Sequence, residues 1–265
     1  MNDVPHKNEL SSILQWSERL YYRDRLRAAR YAALADAEGF GEICFAVEAL
    51  GLHLLGKEAD MGKYEARIRH LSTDSIVLSD LSTQFSCYFK RFDALYETVR
   101  LARNDAMHTG VYARHATSAA IELCIGLEEA LMNKQDLLRE TVADFMVKAP
   151  VALESWQPVA HARQLMLMHS FSFLPVLMEK EWKLVSEVSM AKYLNSDLSK
   201  KKLLATTIAA ASTQGLILID AQVIQSSAAV SEILANINVG VSPTLWLVVD
   251  DHDKLAGVLS PFELM

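Results

Sequence analysis

The chain has 265 residues, of which 51% are hydrophobic and 22% are charged, with 10 glycines and 6 prolines. That length is too great for one small core and suits two domains, and the composition argues against extensive disorder. The net charge of −7 argues against a protein that coats nucleic acid through a broad basic surface, although it leaves room for a local basic groove.

The amino terminus and the cysteines favour a cytoplasmic protein. The opening "MNDVPHKNELSS" lacks the basic start and the apolar run of a signal peptide. The sequence contains no run of 18 apolar residues that could cross a membrane. Cys44, Cys87 and Cys124 are odd in number, widely spaced and set among apolar helical neighbours. We therefore expect three reduced core thiols, with no disulfide and no cysteine metal site.

The first half of the chain predicts helices only. Apolar residues recur at three- and four-residue spacing across "LRAARYAALADAEGFGEICFAVEALGLHLLG", where "EGFG" indicates a tight join. A helix is then predicted over "MGKYEARIRHLS", a single helix of about seven turns over "LSTQFSCYFKRFDALYETVRLARNDAMH", and another over "ATSAAIELCIGLEEALM". We predict an all-α bundle of about four or five helices over residues 1–138.

The second half alternates short β-like runs with helices. Two hairpins are predicted, one with "FSFLPVLM" and "WKLVSEV" around "EKE", the other with "TLWLVVD" and "KLAGVLS" around "DHD". Each follows an amphipathic segment, "WQPVAHARQLMLMHS" or "SSAAVSEILANIN", so a unit of about 55–60 residues occurs twice. We expect an α+β multidomain chain whose two β-α-β-β-α repeats occupy residues 139–265. The first spans 139–197, and 198–265 holds a linking helix over "NSDLSKKKLLATTIAAAST" and the second repeat.

The repeat resembles the CBS domain, a paired module that commonly senses adenosine nucleotides. The second copy ends in "GVLSPFEL", residues 257–264. This is similar to the family's closing motif of Gly, two apolar residues, Ser or Thr, two variable residues and an acid before Leu or Met. In the family the hydroxyl approaches a ligand phosphate and an Asp at the acid position binds ribose. The resemblance implies ligand contacts by Ser260 and by Glu263, which is a longer acid than usual.

The first copy departs from the pattern. Ser189 matches the hydroxyl position, but Lys192 stands where the acid is expected, which puts ribose binding at this copy in doubt. A lysine can instead meet the charge of an additional phosphate. The resemblance implies a regulatory adenine nucleotide such as AMP, ADP or ATP. The alternative is a dimerising platform without a ligand, because a fold alone does not establish a function.

The stretch "LARNDAMHTG", residues 101–110, lies near the end of the longest predicted helix. Arg103, Asn104 and His108 form the pattern R-N-x-x-x-H, which resembles the signature of HEPN-fold ribonucleases. Asn104 and Asp105 precede His108 by four and three residues, so all three can share one side of a helix. The resemblance implies an active site that forms where two copies of the motif meet at a homodimer interface.

These residue types suit RNA cleavage without a metal ion. The reaction needs a base for the ribose 2′-hydroxyl, an acid for the leaving oxygen and positive charge beside the phosphate. His108 titrates near neutrality and can serve as the base or the acid, and Arg103 carries a permanent forked charge for phosphate oxygens. We expect Asn104 to orient His108 or the phosphate, and Asp105 is a second candidate for fixing the imidazole.

The same stretch has a plainer interpretation. A helix that ends at Thr109 and Gly110 would favour His108 at its negative terminus and leave Arg103 solvated. The bare spacing is also weak, because Arg163 and His169 satisfy its loose form inside a helix of the first repeat.

The first helix carries a predicted basic stripe. Its four arginines recur at offsets of 0, 4, 8 and 11 residues and therefore share one helical face. They are Arg19, Arg23, Arg27 and Arg30. Interleaved with tyrosines, such a stripe can steer and stack single-stranded RNA, and the alternative is a solvated face partly neutralised by neighbouring acids.

The remaining histidines do not suggest a metal site. They are scattered without ligand spacing, and the sequence contains no P-loop, no GxSxG and no H-E-x-x-H. We therefore hypothesise a metal-independent HEPN-type endoribonuclease, fused to a nucleotide-regulated CBS pair and acting on RNA as a homodimer away from membranes. The resemblance suggests a bacterial toxin or defence setting. The alternative is an inactive helical bundle that docks a partner protein beside an adenine-nucleotide sensor.

Overall fold

The structure is a computed structural model that describes residues 14–36, 39–109, 114–133, 141–196, 199–236 and 245–265; the side chains of residues 106–109 and 114 lie outside that description. Two compact units make up the chain, Met1–Asp136 and Leu137–Met265.

The first unit is helical over its described residues. Its elements in chain order are α1 (Trp16–Ala35), α2 (Phe40–Leu55), α3 (Met61–Ser72), a π-helical turn (Val77–Leu81), α4 (Ser82–Gln84), α5 (Phe92–Thr109) and α6 (Arg114–Met132). Helix α1 packs against α2 and α6, and α5 packs against α6. The apolar spacing that predicts the helices also supplies one core, in which Leu26, Phe40 and Leu123 are fully buried. The predicted helical bundle is confirmed at this level.

Gly39 explains the tight join between α1 and α2. A Cβ atom at this position would lie 2.5 Å from backbone atoms of Ala32 and Ala33. The chain therefore turns against the preceding helix at a distance that only glycine permits.

The predicted seven-turn helix is interrupted, which corrects the sequence interpretation. The segment forms the π-helical turn, α4 and a turn before α5 begins at Phe92. The Ser82 hydroxyl donates to the carbonyl oxygens of Leu78 and Ser79, and Phe85 leaves helical geometry at φ −127° and ψ 54°. Hydroxyl groups that bond local carbonyls compete with a regular helix, and the serine- and threonine-rich "LSTQFS" offers several of them.

The second unit mixes helices and strands. Its elements in chain order are α7 (Val142–Phe145), β1 (Val147–Lys148), β2 (Leu153–Glu154), α8 (Val159–His169), β3 (Phe173–Met178), β4 (Glu181–Ser186), α9 (Glu187–Leu194), α10 (Lys200–Ala205), α11 (Ile208–Ser212), β5 (Leu218–Asp220), β6 (Gln222–Gln225), α12 (Val230–Ala235), β7 (Trp246–Val249), β8 (Leu255–Leu259) and a 3₁₀-helix (Pro261–Leu264). Both predicted hairpins are confirmed, as β3–β4 and β7–β8.

The two repeats exchange their first strands. One sheet has the order β2-β3-β4-β5 and the other β1-β8-β7-β6. In each sheet a parallel pair, β2 with β3 or β6 with β7, is followed by an antiparallel hairpin. The edge strand comes from the other repeat, β5 against β4 and β1 against β8. Neither repeat completes its sheet alone, so the pair forms one structural unit.

Gly257 is required where the exchanged strand β1 packs against β8. It pairs with Lys148 of β1, and a Cβ atom here would lie 2.7 Å from Met146 Sδ and 2.8 Å from the Val147 carbonyl oxygen. The glycine that opens the "GVLSPFEL" motif thus has a packing role in the sheet.

Two further expectations need correction. The predicted linking helix is two short helices, because Thr206 is extended and the Thr207 hydroxyl caps α11 by accepting from the amide of Ala210. Cys44 and Cys124 are buried as expected, whereas Cys87 is exposed, because it lies in the turn after α4.

Candidate functional site

The end of α5 carries the R-N-x-x-x-H residues. Helix α5 is continuous to Thr109, so the backbone places Asn104 and His108 one turn apart. The side chains of Asn104 and Asp105 are exposed, while the side chain of His108 lies outside the described residues. The convergence of Arg103 with His108 therefore stays a prediction.

Arg103 is held from the neighbouring helix. Its Nη2 atom lies 2.8 Å from Oε1 of Glu48 on α2, and the two side chains are 34% and 23% exposed. The carboxylate contacts the guanidinium group through one Nη atom, and the Arg103 side chain stays partly exposed. Because Arg103 and Glu48 are 55 positions apart, this pair is not predictable from the spacing of residues in the sequence.

Buried sulfur lies close to this ion pair. Burial raises the pKa of the Cys44 thiol to about 12; Glu48 raises it further and Arg103 acts in the opposite direction. Cys44 is therefore a neutral packing group near neutral pH, without thiolate chemistry.

The arginine stripe of α1 faces α6, which corrects the prediction of an RNA-contacting surface. Arg19 Nη1 donates to the carbonyl oxygens of Ala130 and Leu131 at 3.2 Å, and Arg23 is 1% exposed. The hydrogen bonds from Arg19 satisfy carbonyl oxygens in the last turn of α6, which have no partner within the helix. The shared face was predicted correctly, but a helix covers it.

Glu128 on α6 forms ion pairs with the other two arginines of the stripe. Arg30 makes a bidentate pair with it, Nε to Oε1 at 2.7 Å and Nη2 to Oε2 at 2.9 Å, and Arg27 Nε lies 3.7 Å from Oε2. The hydrogen bond to Glu128 raises the pKa of Arg30. The arginines of this stripe thus stabilise the α1–α6 contact, and they do not form an exposed basic stripe.

In the first repeat the two motif positions lie in different surroundings. Ser189 is buried near the start of α9, its amide donates to the Ser186 hydroxyl at 3.1 Å, and its own hydroxyl donates to the carbonyl oxygen of Ile217. That bond joins the first repeat to the chain that enters β5. Lys192 is exposed on the next turn of α9.

In the second repeat the two motif residues bond each other. Oε2 of Glu263 accepts from the Ser260 amide at 2.8 Å and from the Ser260 hydroxyl at 2.5 Å. The Phe262 amide donates to the Ser260 hydroxyl at 3.3 Å, which completes a capping box at the 3₁₀-helix. The Glu263 side chain therefore bonds to the residue that caps the start of its own helix. The spacing S-x-x-E is therefore a capping box in this structure, a meaning that the pattern carries beside that of a ligand motif.

An open surface pocket of about 530 Å³ lies beside Lys192. It is lined by Ala191, Lys192, Leu194, Asn195 and Lys200, from the end of α9 and the start of α10. Lys200 and Asn195 were not predicted as site residues. The run "SKKK" is the sequence feature at this place, and it predicts part of a linking helix.

The described part of the chain shows neither a metal-binding cluster nor a membrane-spanning helix. No group of three or more His, Cys, Asp or Glu side chains in it is arranged to hold a metal ion. None of its helices is long and apolar enough to cross a membrane.

Comparison with known proteins gives CBS-domain structures for the carboxyl-terminal half. A CBS domain-containing protein of unknown function from Bacillus anthracis is 15% identical, with a TM-score of 0.39 over 49% of this chain and 94% of that chain. CbpB in complex with c-di-AMP is 16% identical, with a TM-score of 0.39 over 49% and 85%. CBSX2 in complex with AMP is 18% identical, with a TM-score of 0.34 over 47% and 92%. No family model matches the chain, and neither does any curated protein.

Proposed function

We propose that the chain is a metal-independent endoribonuclease of the HEPN type, active as a homodimer and regulated by an adenine nucleotide that binds the CBS-type pair. The observation that carries the catalytic part is the end of α5, where Arg103 is partly exposed and held by Glu48, five residues before His108. Glu48 limits the rotamers of Arg103 without covering it, which suits a group that must meet a phosphate in one orientation.

The proposed reaction uses two copies of the motif. His108 takes the proton of a ribose 2′-hydroxyl, whose oxygen attacks the adjacent phosphorus. The bond from phosphorus to the 5′-oxygen breaks, and the partner's His108 protonates that oxygen. Arg103 faces the negative charge that grows on the phosphate, and Asn104 orients the phosphate or the imidazole. The products are a 2′,3′-cyclic phosphate and a 5′-hydroxyl end.

The regulatory part of the proposal is supported by the exchanged strands. Each sheet of the second unit needs a strand from both repeats, so a ligand that favours one arrangement of the repeats acts on the pair as a whole. A nucleotide that binds one arrangement better than another shifts the population of dimers whose motifs are aligned for cleavage. Ser189, Lys192, Ser260 and Glu263 are the proposed ligand contacts.

RNA cleavage in the presence of EDTA tests the catalytic part. We expect His108→Ala and Arg103→Ala each to lower the cleavage rate by about a hundred-fold or more while leaving the dimer intact in sedimentation. The matched control is His70→Ala, an exposed histidine at the end of α3, which should cleave like the wild type. Equal rates for His108→Ala and the wild type would refute the assigned role.

A second function is favoured by the same ion pair. With Arg103 engaged by Glu48, the helical unit can serve as a docking bundle without catalysis, beside an adenine-nucleotide sensor. This alternative predicts no cleavage under any condition, together with nucleotide binding to the full chain.

A further inference from the structure

Each of the two repeats carries a motif hydroxyl whose single proton is already engaged in the structure. The Ser189 hydroxyl donates to the carbonyl oxygen of Ile217 at 2.5 Å, and the Ser260 hydroxyl donates to Oε2 of Glu263 at 2.5 Å. The second bond joins residues three positions apart, whereas the first joins residues 28 positions apart. Only the bond of Ser189 therefore connects one repeat to the chain that enters the other.

Ile217 stands directly before β5, the edge strand that the second repeat contributes to the sheet of the first. Strand β5 is three residues long and pairs only with β4 in its sheet. At the far end of the strand, Lys183 Nζ on β4 lies 2.6 Å from Oδ1 of Asp220. At the entry, the Ser189 hydroxyl holds the chain through the carbonyl of Ile217. A strand this short depends on such contacts at its ends, because it has few ladder bonds.

The two partners of this bond lie in different surroundings. Ser189 is 7% exposed, whereas Ile217 is 64% exposed. If the bond breaks, water can reach the exposed Ile217, but the buried hydroxyl of Ser189 needs another acceptor, because an unpaired buried donor costs free energy. An ionised phosphate oxygen accepts strongly and offers no proton of its own, so it suits that position.

We propose that the hydrogen bond from Ser189 to Ile217 is a latch on β5, and that a nucleotide phosphate opens this latch by accepting the same proton. This inference deepens the proposed nucleotide regulation and rests on that proposed function for the ligand. A hydroxyl has one proton to donate, so the closed latch and the phosphate contact exclude each other. A ligand that binds the open state better shifts the population toward it. Opening loosens the strand that one repeat lends to the other, so binding at Ser189 reaches both repeats.

Hydrogen–deuterium exchange of the full chain, followed by mass spectrometry of peptides that cover residues 214–221, tests the latch without a nucleotide. We expect Ser189→Ala to speed exchange there by about five-fold, as the loss of one hydrogen bond predicts. The matched control is Ser212→Ala, whose hydroxyl donates to the Ala209 carbonyl at 2.8 Å within the α11 segment. This control should change the exchange by less than about two-fold, because it removes no contact of β5. Peptides from the hairpin β7–β8 should exchange at the wild-type rate in both variants.

The same measurement with AMP or ATP tests the opening step. Each nucleotide is added at a concentration that saturates its binding in titration calorimetry on the full chain. We expect a bound nucleotide to speed exchange over residues 214–221 of the wild type to nearly the rate of Ser189→Ala. In Ser189→Ala the nucleotide should bring no further increase, because the latch is already lost.

The outcomes separate the latch from nucleotide regulation. Equal exchange in Ser189→Ala and Ser212→Ala would overturn the latch, and so would faster exchange of the hairpin β7–β8 in Ser189→Ala, which indicates a general loss of stability. A nucleotide that binds while exchange over residues 214–221 stays constant or slows would overturn the opening step and leave nucleotide regulation in place. If neither nucleotide binds, nucleotide regulation and the opening step both fail, while the comparison of the two variants still decides whether Ser189 holds β5.

Discussion

Replacing Glu128 by glutamine tests the structural role assigned to the arginine stripe. The substitution keeps the volume of the side chain and removes the charge that holds Arg30 at 2.7 and 2.9 Å and Arg27 at 3.7 Å. Two charge-assisted hydrogen bonds contribute about 1.5–3 kcal/mol each. Removing one partner of a buried pair costs about 3–5 kcal/mol, because the other charge stays buried. We expect a loss of about 3 kcal/mol, since the side chains of Glu128 and Arg30 are each 11% exposed and keep some hydration.

The matched control lies on the same helix. Glu122 pairs with Lys90 at 3.3 Å, but these side chains are 41% and 55% exposed, so Glu122→Gln should cost less than about 1 kcal/mol. Urea unfolding followed by far-ultraviolet circular dichroism gives both free energies of unfolding, with separate fits if the two units unfold separately. If the two variants differ by less than about 0.5 kcal/mol, the stripe does not stabilise the α1–α6 contact and our account of it is wrong.

Two further predictions follow from burial and from hydrogen bonding. Of the three thiols, only exposed Cys87 should react rapidly with Ellman's reagent in the folded protein, because burial raises the pKa of Cys44 to about 12 and that of Cys124 well above its ordinary value. The amides of Lys254 and His252 donate to the Asp250 carboxylate and lower its pKa below the ordinary value. The stabilisation is therefore complete above the ordinary pKa and is lost as the pH falls through the lowered folded-state pKa. Asp250→Asn should therefore flatten the acid-induced fall in the thermal midpoint of the second unit.

A different result would contradict each of these two predictions. Cys87→Ser should abolish the rapid thiol reaction, and a second rapid thiol in that variant would show that a cysteine assigned to the core is accessible. For Asp250, thermal midpoints measured from about pH 5 down to about pH 3 should converge for the variant and the wild type. Parallel curves over that range would show that the turn hydrogen bonds do not favour the charged carboxylate.

Structural elements that depend on residues close together in the chain were predictable from the sequence. The hairpins β3–β4 and β7–β8 follow from alternating apolar runs around short turns, and the repeat follows from their recurrence. The apolar spacing did not predict the interruption before α5, because hydroxyl groups such as that of Ser82 compete with the helix without changing that spacing.

Contacts between distant residues were not predictable from one sequence. Periodicity places Arg30 and its neighbours on one face of α1, but Glu128, which pairs with it, lies 98 residues later. The pair of Arg103 with Glu48 is hidden for the same reason. At the pocket beside Lys192, that residue is identified by its motif position, whereas Lys200 joins it only through the packing of α9 against α10.

The most direct test of the central proposal is the RNA cleavage rate of the wild-type dimer with EDTA present, measured as a function of ATP and AMP concentration. The account predicts a metal-independent rate that one of the nucleotides changes several-fold, at concentrations that match its measured binding to the full chain. A cleavage rate that stays constant while the nucleotide binds would contradict the proposed regulation. No cleavage with or without nucleotide would contradict the ribonuclease and favour the docking bundle with a nucleotide sensor.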